Sequence, residues 1–397
     1  MKRREFIRNS SIFCSALAMG GCRNGNSVHD EWNAVLAEHT IASVETFKLN
    51  FSWPRLVGRN STKDVHGQHK VANVVRLATD KGHIGWGNMP NRPNLSPEMM
   101  KGKPVTELIR SHIGIVDPKL HPYDMALHDL IGVILDKPIF EILGAKGTKG
   151  TPIYSGMIYL DELNEGNPNK SIDIILENCQ WDFDYGYRQL KVKIGRSGKW
   201  YPHDEGLAKD IEVVNEIHKA FHAKGVQLLV DANNMYSLED TIAFLEGVKD
   251  VPLLWVEEPF HETVEEGRQL RDWMVSNGFS DTLYADGEFR PVDEVLMDLC
   301  RSGHLGAYLK DIAGYGFTNW RNMMPQLIEL GVLASPHAWG SALKTNAIAH
   351  IAAGLGNCVT IEGVTCLSEQ IDFGNYAIRD GLLHVSDDPG FGMKFQV

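Results

Sequence analysis

The sequence predicts an α/β protein, a barrel of parallel strands preceded by an α+β capping domain. Two observations predict the barrel. Short β-branched or apolar runs recur through the second half of the chain, each followed by an amphipathic stretch of helical length. Six of these runs end on a charged residue, namely Lys193, Asp231, Glu257, Glu288, Asp311 and His337, at intervals of 23 to 38 residues. That is the length of a repeating strand–helix unit. In such a barrel the carboxyl ends of the strands share one face, so residues far apart in sequence meet in one pocket. A third observation predicts the cap: strand-like alternation gives way to helical spacing before residue 147.

Taken in order, residues 1–22 read as a leader. A basic start containing Arg3 and Arg4 precedes a short apolar stretch, 12–19, and then Gly20, Gly21 and Cys22. This is the pattern of an export signal. The paired arginines ahead of Phe6 and Ile7 resemble a twin-arginine signal, and Cys22 resembles a lipoprotein attachment site, a candidate lipid anchor. The cap spans 41–147. Residues 41–51 and 71–86 alternate as strands, with a hairpin turn at Asp80, Lys81 and Gly82. The polar stretch 52–68 reads as a loop. From 96 to 143 the spacing is helical, with Leu127, Leu130 and Ile131 on one side of a helix that begins near Asp124. The pattern breaks between Gly144 and Gly147, which marks the domain boundary. The barrel spans 148–363, with strands expected at 151–157, 189–194, 226–232, 253–258, 282–288, 307–311, 331–337 and 358–363. Residues 364–397, rich in Gly and Asp, are expected to pack back on the cap.

Length and charge narrow the function. The 397 residues suit two domains. The net charge is −12 and no basic stripe is present, which argues against nucleic acid as a partner. Cys179, Cys300, Cys358 and Cys366 form no Cys-x-x-Cys pair, so a zinc site is not indicated and buried free thiols are expected. Beyond the leader, no apolar run is long enough to span a bilayer.

The chemistry follows from side-chain direction. Asp231, Glu257 and Glu288 close three consecutive strands. Three carboxylates forced together repel unless a hard cation lies between them, and all-oxygen ligation suits Mg²⁺. Asp286, two residues before Glu288, is a rival third ligand. Glu258 points away from Glu257 and is expected to be structural. Lys191 and Lys193 share the inner face of their strand, where crowding is expected to lower their pKa values and suit one as a general base. His337 lies across the ring. A base on each side of a metal-held carboxylate is a layout for removing the proton from the neighbouring carbon, with the metal stabilising the enediolate.

The segments Lys191-Val-Lys193, Asp231-Ala-Asn233, Glu257-Glu258-Pro259, Asp286-Gly-Glu288 and Ser335-Pro-His337, with the cap helix over 124–138, resemble the enolase superfamily. The resemblance is closest to its mandelate racemase and muconate-lactonising branches and covers 41–397. It implies a modified (β/α)₇β barrel of TIM type under a cap, a catalytic Mg²⁺, and proton abstraction α to a carboxylate. It implies Lys193 as one base tuned by Lys191, His337 as the opposite base or acid, and Glu362 on the eighth strand as a hydrogen-bond partner of the substrate carboxylate. Racemase-like members pair the histidine with an aspartate on the sixth strand, which would be Asp311; lactonising members carry a lysine there, which would be Lys310. Adjacent residues face opposite ways, so one of the two lines the pocket, and His337 favours Asp311. Tyr315 departs from the glycine common in that turn.

The leading implied activity is dehydration of a sugar acid. Racemisation or epimerisation uses the same two bases, and a lactonising-type reaction is the further enzymatic alternative. A non-catalytic exported ligand-binding lipoprotein is the reading from another class, and retention of three carboxylates and two bases argues against it. The cap stretch 52–68, with Trp53, Arg55, Arg59 and His66, is expected to contact the substrate, a small carboxylic acid. The resemblance also implies a homo-oligomer.

Overall fold

The computed structural model describes residues 25–90 and 96–396. The leader and Cys22 lie outside the described residues. After a helix over Gly25–Ala37, the cap is an antiparallel meander of β1 (Ile41–Val57), β2 (Gly67–Thr79) and β3 (Ile84–Asn88). β1 runs further than expected. Phe51, Trp53 and Val57 stay buried, and Ser52 pairs with Leu367 of the C-terminal segment, so the expected loop 52–68 shrinks to 58–66. Between residues 96 and 123 the chain forms short 3₁₀ turns and two-residue strands where helix was expected. Pro97, Pro104, Pro118 and Pro122 fall in this stretch, and each removes an amide donor that a helix would need. A regular helix follows at Asp124–Ile134, lying directly on β3. A Cβ on Gly87 would sit 2.2 Å from the Ala126 nitrogen, so glycine permits this approach.

Eight parallel strands follow: β4 (Gly150–Ile158), β5 (Gln189–Lys193), β6 (Gln227–Asp231), β7 (Trp255–Glu257), β8 (Leu283–Asp286), β9 (Ala307–Tyr308), β10 (Leu333–Ala334) and β11 (Ile361–Gly363). Neighbours in sequence are neighbours in the sheet, β11 pairs back onto β4, and an Ala334–Cys358 bridge joins the remaining gap. Some of the barrel helices begin at side-chain caps. Ser237 and Asp240 form a capping box before Leu238–Gly247, and Thr263 caps Val264–Ser276. Tyr154, Leu229, Trp255, Ala285, Ala307 and Leu309 fill the barrel interior. Leu229, Trp255 and Leu309 lie two residues before Asp231, Glu257 and Asp311. The period-2 alternation therefore sets the functional side chains on a solid floor.

The C-terminal segment reaches both domains. Leu382–His384 pairs antiparallel with β4, while Phe395 stacks on Trp86 of the cap with ring centroids 4.5 Å apart. Cys179, Cys300, Cys358 and Cys366 are all free thiols. No described helix is long and apolar enough to cross a membrane.

Asp129 ties the cap to the C-terminal segment. Its two oxygens accept from the backbone N–H of Trp86 at 2.7 Å and of Phe391 at 2.6 Å. Burial pushes this carboxyl up to about 7, against the pull of those two donors. Between about pH 4 and pH 7 the folded protein thus holds a proton that the unfolded chain has released, so this group's contribution to stability falls as pH rises through that window. Asp129→Asn loses one acceptor and is expected to cost about 1–3 kcal/mol. The gap in Tm between wild type and variant should be wider near pH ~5 than near pH ~8; an equal gap at both would show that Asp129 does not titrate there.

Candidate active site

The strand ends bring Asp231, Glu257 and Glu288 together, with one carboxylate oxygen from each within 4.8 Å of the others. Asp231 and Glu257 are buried beneath the cavity, and Glu288 lines it. Trp255, two residues below, donates its Nε1–H to Glu257 at 2.9 Å and fixes that carboxylate. Glu288 Oε2 is buried without a hydrogen-bond partner among the described residues. Burial and the charges of Asp231 and Glu288 push the Glu257 carboxyl up to about 8. An orphaned carboxylate oxygen beside a crowded, hard-oxygen donor set fits a divalent cation such as Mg²⁺.

Asp286 is elsewhere. It accepts from the Tyr284 hydroxyl at 2.7 Å, and Tyr284 belongs to the packed layer outside the barrel. The expectation that Asp286 shares a face with Glu288 fails because the strand ends at Asp286 and Gly287 turns with φ +127°. Glu258 accepts from the Phe289 N–H at 2.6 Å and so anchors the turn that presents Glu288.

Lys191 and Lys193 point into the barrel as expected. Lys191 Nζ lies 2.8 Å from Glu257 and 3.1 Å from Asp231. Lys193 donates to Asp231 and, at 3.1 Å, to Asn233. Their pKa values move opposite to the expectation. Burial lowers them, but the carboxylates outweigh it, and both ammonium groups are held above the ordinary lysine value. In this arrangement the lysines serve as counter-ions to the acids.

His337 stands across the cavity. Its Nδ1 is 3.0 Å from Asp311, and its Nε2 is 3.1 Å from Glu288 and 3.5 Å from Glu362. Burial would lower its pKa, but Glu288, Glu362 and Asp311 raise it to about 9. Asp311 also accepts from Lys344 at 2.7 Å and caps the short helix Ile312–Tyr315 through Ala313 and Gly314. Against burial, Lys344 and His337 hold the Asp311 carboxyl well below the usual range. Lys310 turns outward to Asp293, so Asp311 is the residue that reaches the site.

Glu362 lines the cavity, accepts the Ala338 N–H at 2.5 Å and lies 3.7 Å from Lys191. Burial favours its protonated form, yet His337, Lys191 and the Ala338 donor lower its pKa on balance. A hydrogen bond from Glu362 to a substrate carboxylate needs the proton that these neighbours disfavour.

These groups open into a cavity of about 230 Å³ under the cap. Of the four cap residues expected to contact substrate, His66 lines it. Trp53 is buried in a stack on Trp339, Arg55 grips Asp182 at 2.6 Å, and Arg59 pairs with Asp64 at 2.8 Å. The cavity also takes in Asn60, Thr62, Lys63 and Lys70 from the cap, with Tyr159, Asn233, Phe289 and Trp339 from barrel loops. Asn60, Thr62 and Lys63 lie inside the stretch read as a loop, but nothing in its composition ranks them above Arg55 or Arg59. A second cavity, of about 250 Å³ and ringed by Tyr185, Tyr187 and Tyr376, contains none of these charged groups.

Known proteins share this architecture. A galacturonate dehydratase from a Geobacillus species superposes with a TM-score of 0.83 at 27% identity, covering 90% of this chain and 95% of that one. A mandelate racemase/muconate lactonizing protein from Geobacillus, solved with magnesium and tartrate, gives a TM-score of 0.84 at 27% identity over 90% and 93%. By sequence, the arabinonate dehydratase of Saccharolobus solfataricus is 25% identical over 290 residues, 70% of each chain. Residues 176–396 match the enolase C-terminal domain-like family, and the chain belongs to it.

Proposed function

We propose that the protein is an exported, Mg²⁺-dependent dehydratase of a sugar acid. The observation that carries this reading is the convergence of Asp231, Glu257 and Glu288 in a site whose cavity is also lined by Lys193 and His337. Asp231, Glu257 and Glu288 would hold Mg²⁺, which would supply positive charge next to the substrate carboxylate and offset the acids that raise the Lys193 pKa. Lys193 accepts the α-proton. His337, oriented by Asp311, donates a proton to the β-hydroxyl, which leaves as water, and the resulting enol becomes a 2-keto-3-deoxy acid. The similarity to arabinonate and galacturonate dehydratases supports dehydration ahead of racemisation. The test is a screen of hexonates, hexarates, pentonates and uronates with Mg²⁺, read as keto-acid formation and as α-proton exchange in D₂O. Absence of both across the set overturns the reading.

Export rests on Arg3, Arg4 and the Gly20-Gly21-Cys22 segment. Replacing both arginines by lysine is expected to leave the precursor in the cytoplasm of its host. Recovery of the unaltered protein from the cytoplasm with Met1 retained would refute export.

A further inference from the structure

The cavity is charged asymmetrically. Its barrel side carries Glu288, which belongs to the three-acid cluster and lies 3.1 Å from His337, and Glu362, which lies 3.5 Å from His337 and 3.7 Å from Lys191. Its cap side carries Lys63 and Lys70, and neither ammonium has a carboxylate partner among the described residues. The nearby Asp64 is engaged by Arg59, and Asp311 by Lys344 and His337. Lys70 also borders the adjoining cleft next to Lys344 and Trp339. Burial, then the repulsion of Lys63 and Lys344, lowers the Lys70 pKa from its usual value. The half-buried His66 imidazole between these two exposed lysines is pushed down to about 4, by burial first and in part by Lys63, Lys193 and Lys70. His66 is thus a neutral wall beside uncompensated cations.

From this we infer that Lys63 and Lys70 bind a second anionic group on the substrate, so that the preferred sugar acid is a dicarboxylate. One carboxylate lies at the Asp231, Glu257 and Glu288 end, and the other meets the two lysines under the cap. A hydroxyl in that place would hydrogen-bond but leave both charges unbalanced, whereas a carboxylate neutralises them through charge-assisted bonds. The inference rests on the sugar-acid reading above and sharpens its substrate.

Galactarate and galactonate are a matched pair that differ in the far terminus. Wild-type enzyme is expected to show a kcat/KM for galactarate at least ~10-fold above that for galactonate, the size of one charge-assisted contact. Lys70→Met is expected to shrink that ratio by ~10-fold or more, mainly through KM, and Lys63→Met to shrink it less, because Lys70 borders both the cavity and the adjoining cleft whereas Lys63 borders the cavity. Direct binding gives a readout independent of turnover: with Mg²⁺ present, tartrate should quench tryptophan fluorescence at lower concentration than glycerate, and Lys70→Met should erase the difference. Equal handling of galactarate and galactonate with equal binding of tartrate and glycerate, or a ratio unchanged in both variants, overturns the inference. If neither sugar acid turns over but the tartrate preference is present and lost in Lys70→Met, the dianion site stands and the dehydratase reading falls.

Discussion

Glu257→Gln is expected to abolish turnover and to weaken Mg²⁺ binding by ~100-fold or more while leaving the fold intact. The side chain is one of three acids whose oxygens converge within 4.8 Å, so removing its charge removes a third of the anionic ligand set. The fold should survive because Lys191 keeps Asp231 at 3.1 Å and Glu362 at 3.7 Å as counter-ions, and because Gln retains an acceptor for the Trp255 N–H. Without a cation, burial and its neighbours already favour a proton on Glu257, the form that Gln imitates. Calorimetric titration with Mg²⁺ and a thermal melt of the metal-free variant check both halves. Full activity in the variant, or in enzyme stripped with EDTA, would mean the three acids do not hold a catalytic metal.

The second large effect separates the two bases. In D₂O, Lys193→Ala is expected to lose α-proton exchange on the face it serves. His337→Asn is expected to stop dehydration while leaving exchange at Lys193. Each should cut turnover by about 10²–10⁴-fold, the usual contribution of a placed acid or base. The geometry behind this is the separate anchoring of the two groups. Asp231 and Asn233 hold Lys193, whereas Asp311 and Glu288 hold His337 from strands across the ring. Equal loss of exchange in both variants would instead favour a single-base site.

The barrel was legible because short apolar runs recur at the interval of a strand–helix unit and six of them end on charge. Asp231, Glu257 and Glu288 could be placed from spacing, and Lys191 and Lys193 from parity. The strand-end details were not legible. Lys310 and Asp311 are adjacent, and the choice depends on Leu309 facing the interior beneath them, a packing fact rather than a local one. Asp286 misled because alternation was carried past the end of β8 into a glycine turn. Arg55 looked free for substrate because its partner, Asp182, lies 127 residues away; Arg59 also donates to the distant Leu163 carbonyl, although its ion-pair partner Asp64 is close in sequence. The lysine pKa direction was missed for the same kind of reason: each ammonium meets carboxylates delivered by other strands.

The two walls of the cavity come from separate stretches of chain. Residues 60–70 of the cap supply Lys63, His66 and Lys70, whereas Lys193, Glu288, His337 and Glu362 belong to the barrel. With Lys63 and Lys70 as the inferred selector, selectivity can shift on the cap side while reactivity stays with the barrel, whose loops supply Tyr159, Phe289 and Trp339 to the shared lining. Drift in one short hairpin connection can redirect the enzyme to another acid without disturbing proton transfer, and the reaction itself can change at a strand end while the same acid is still admitted. A scaffold divided this way can diversify one trait at a time, with the other held constant as a working background.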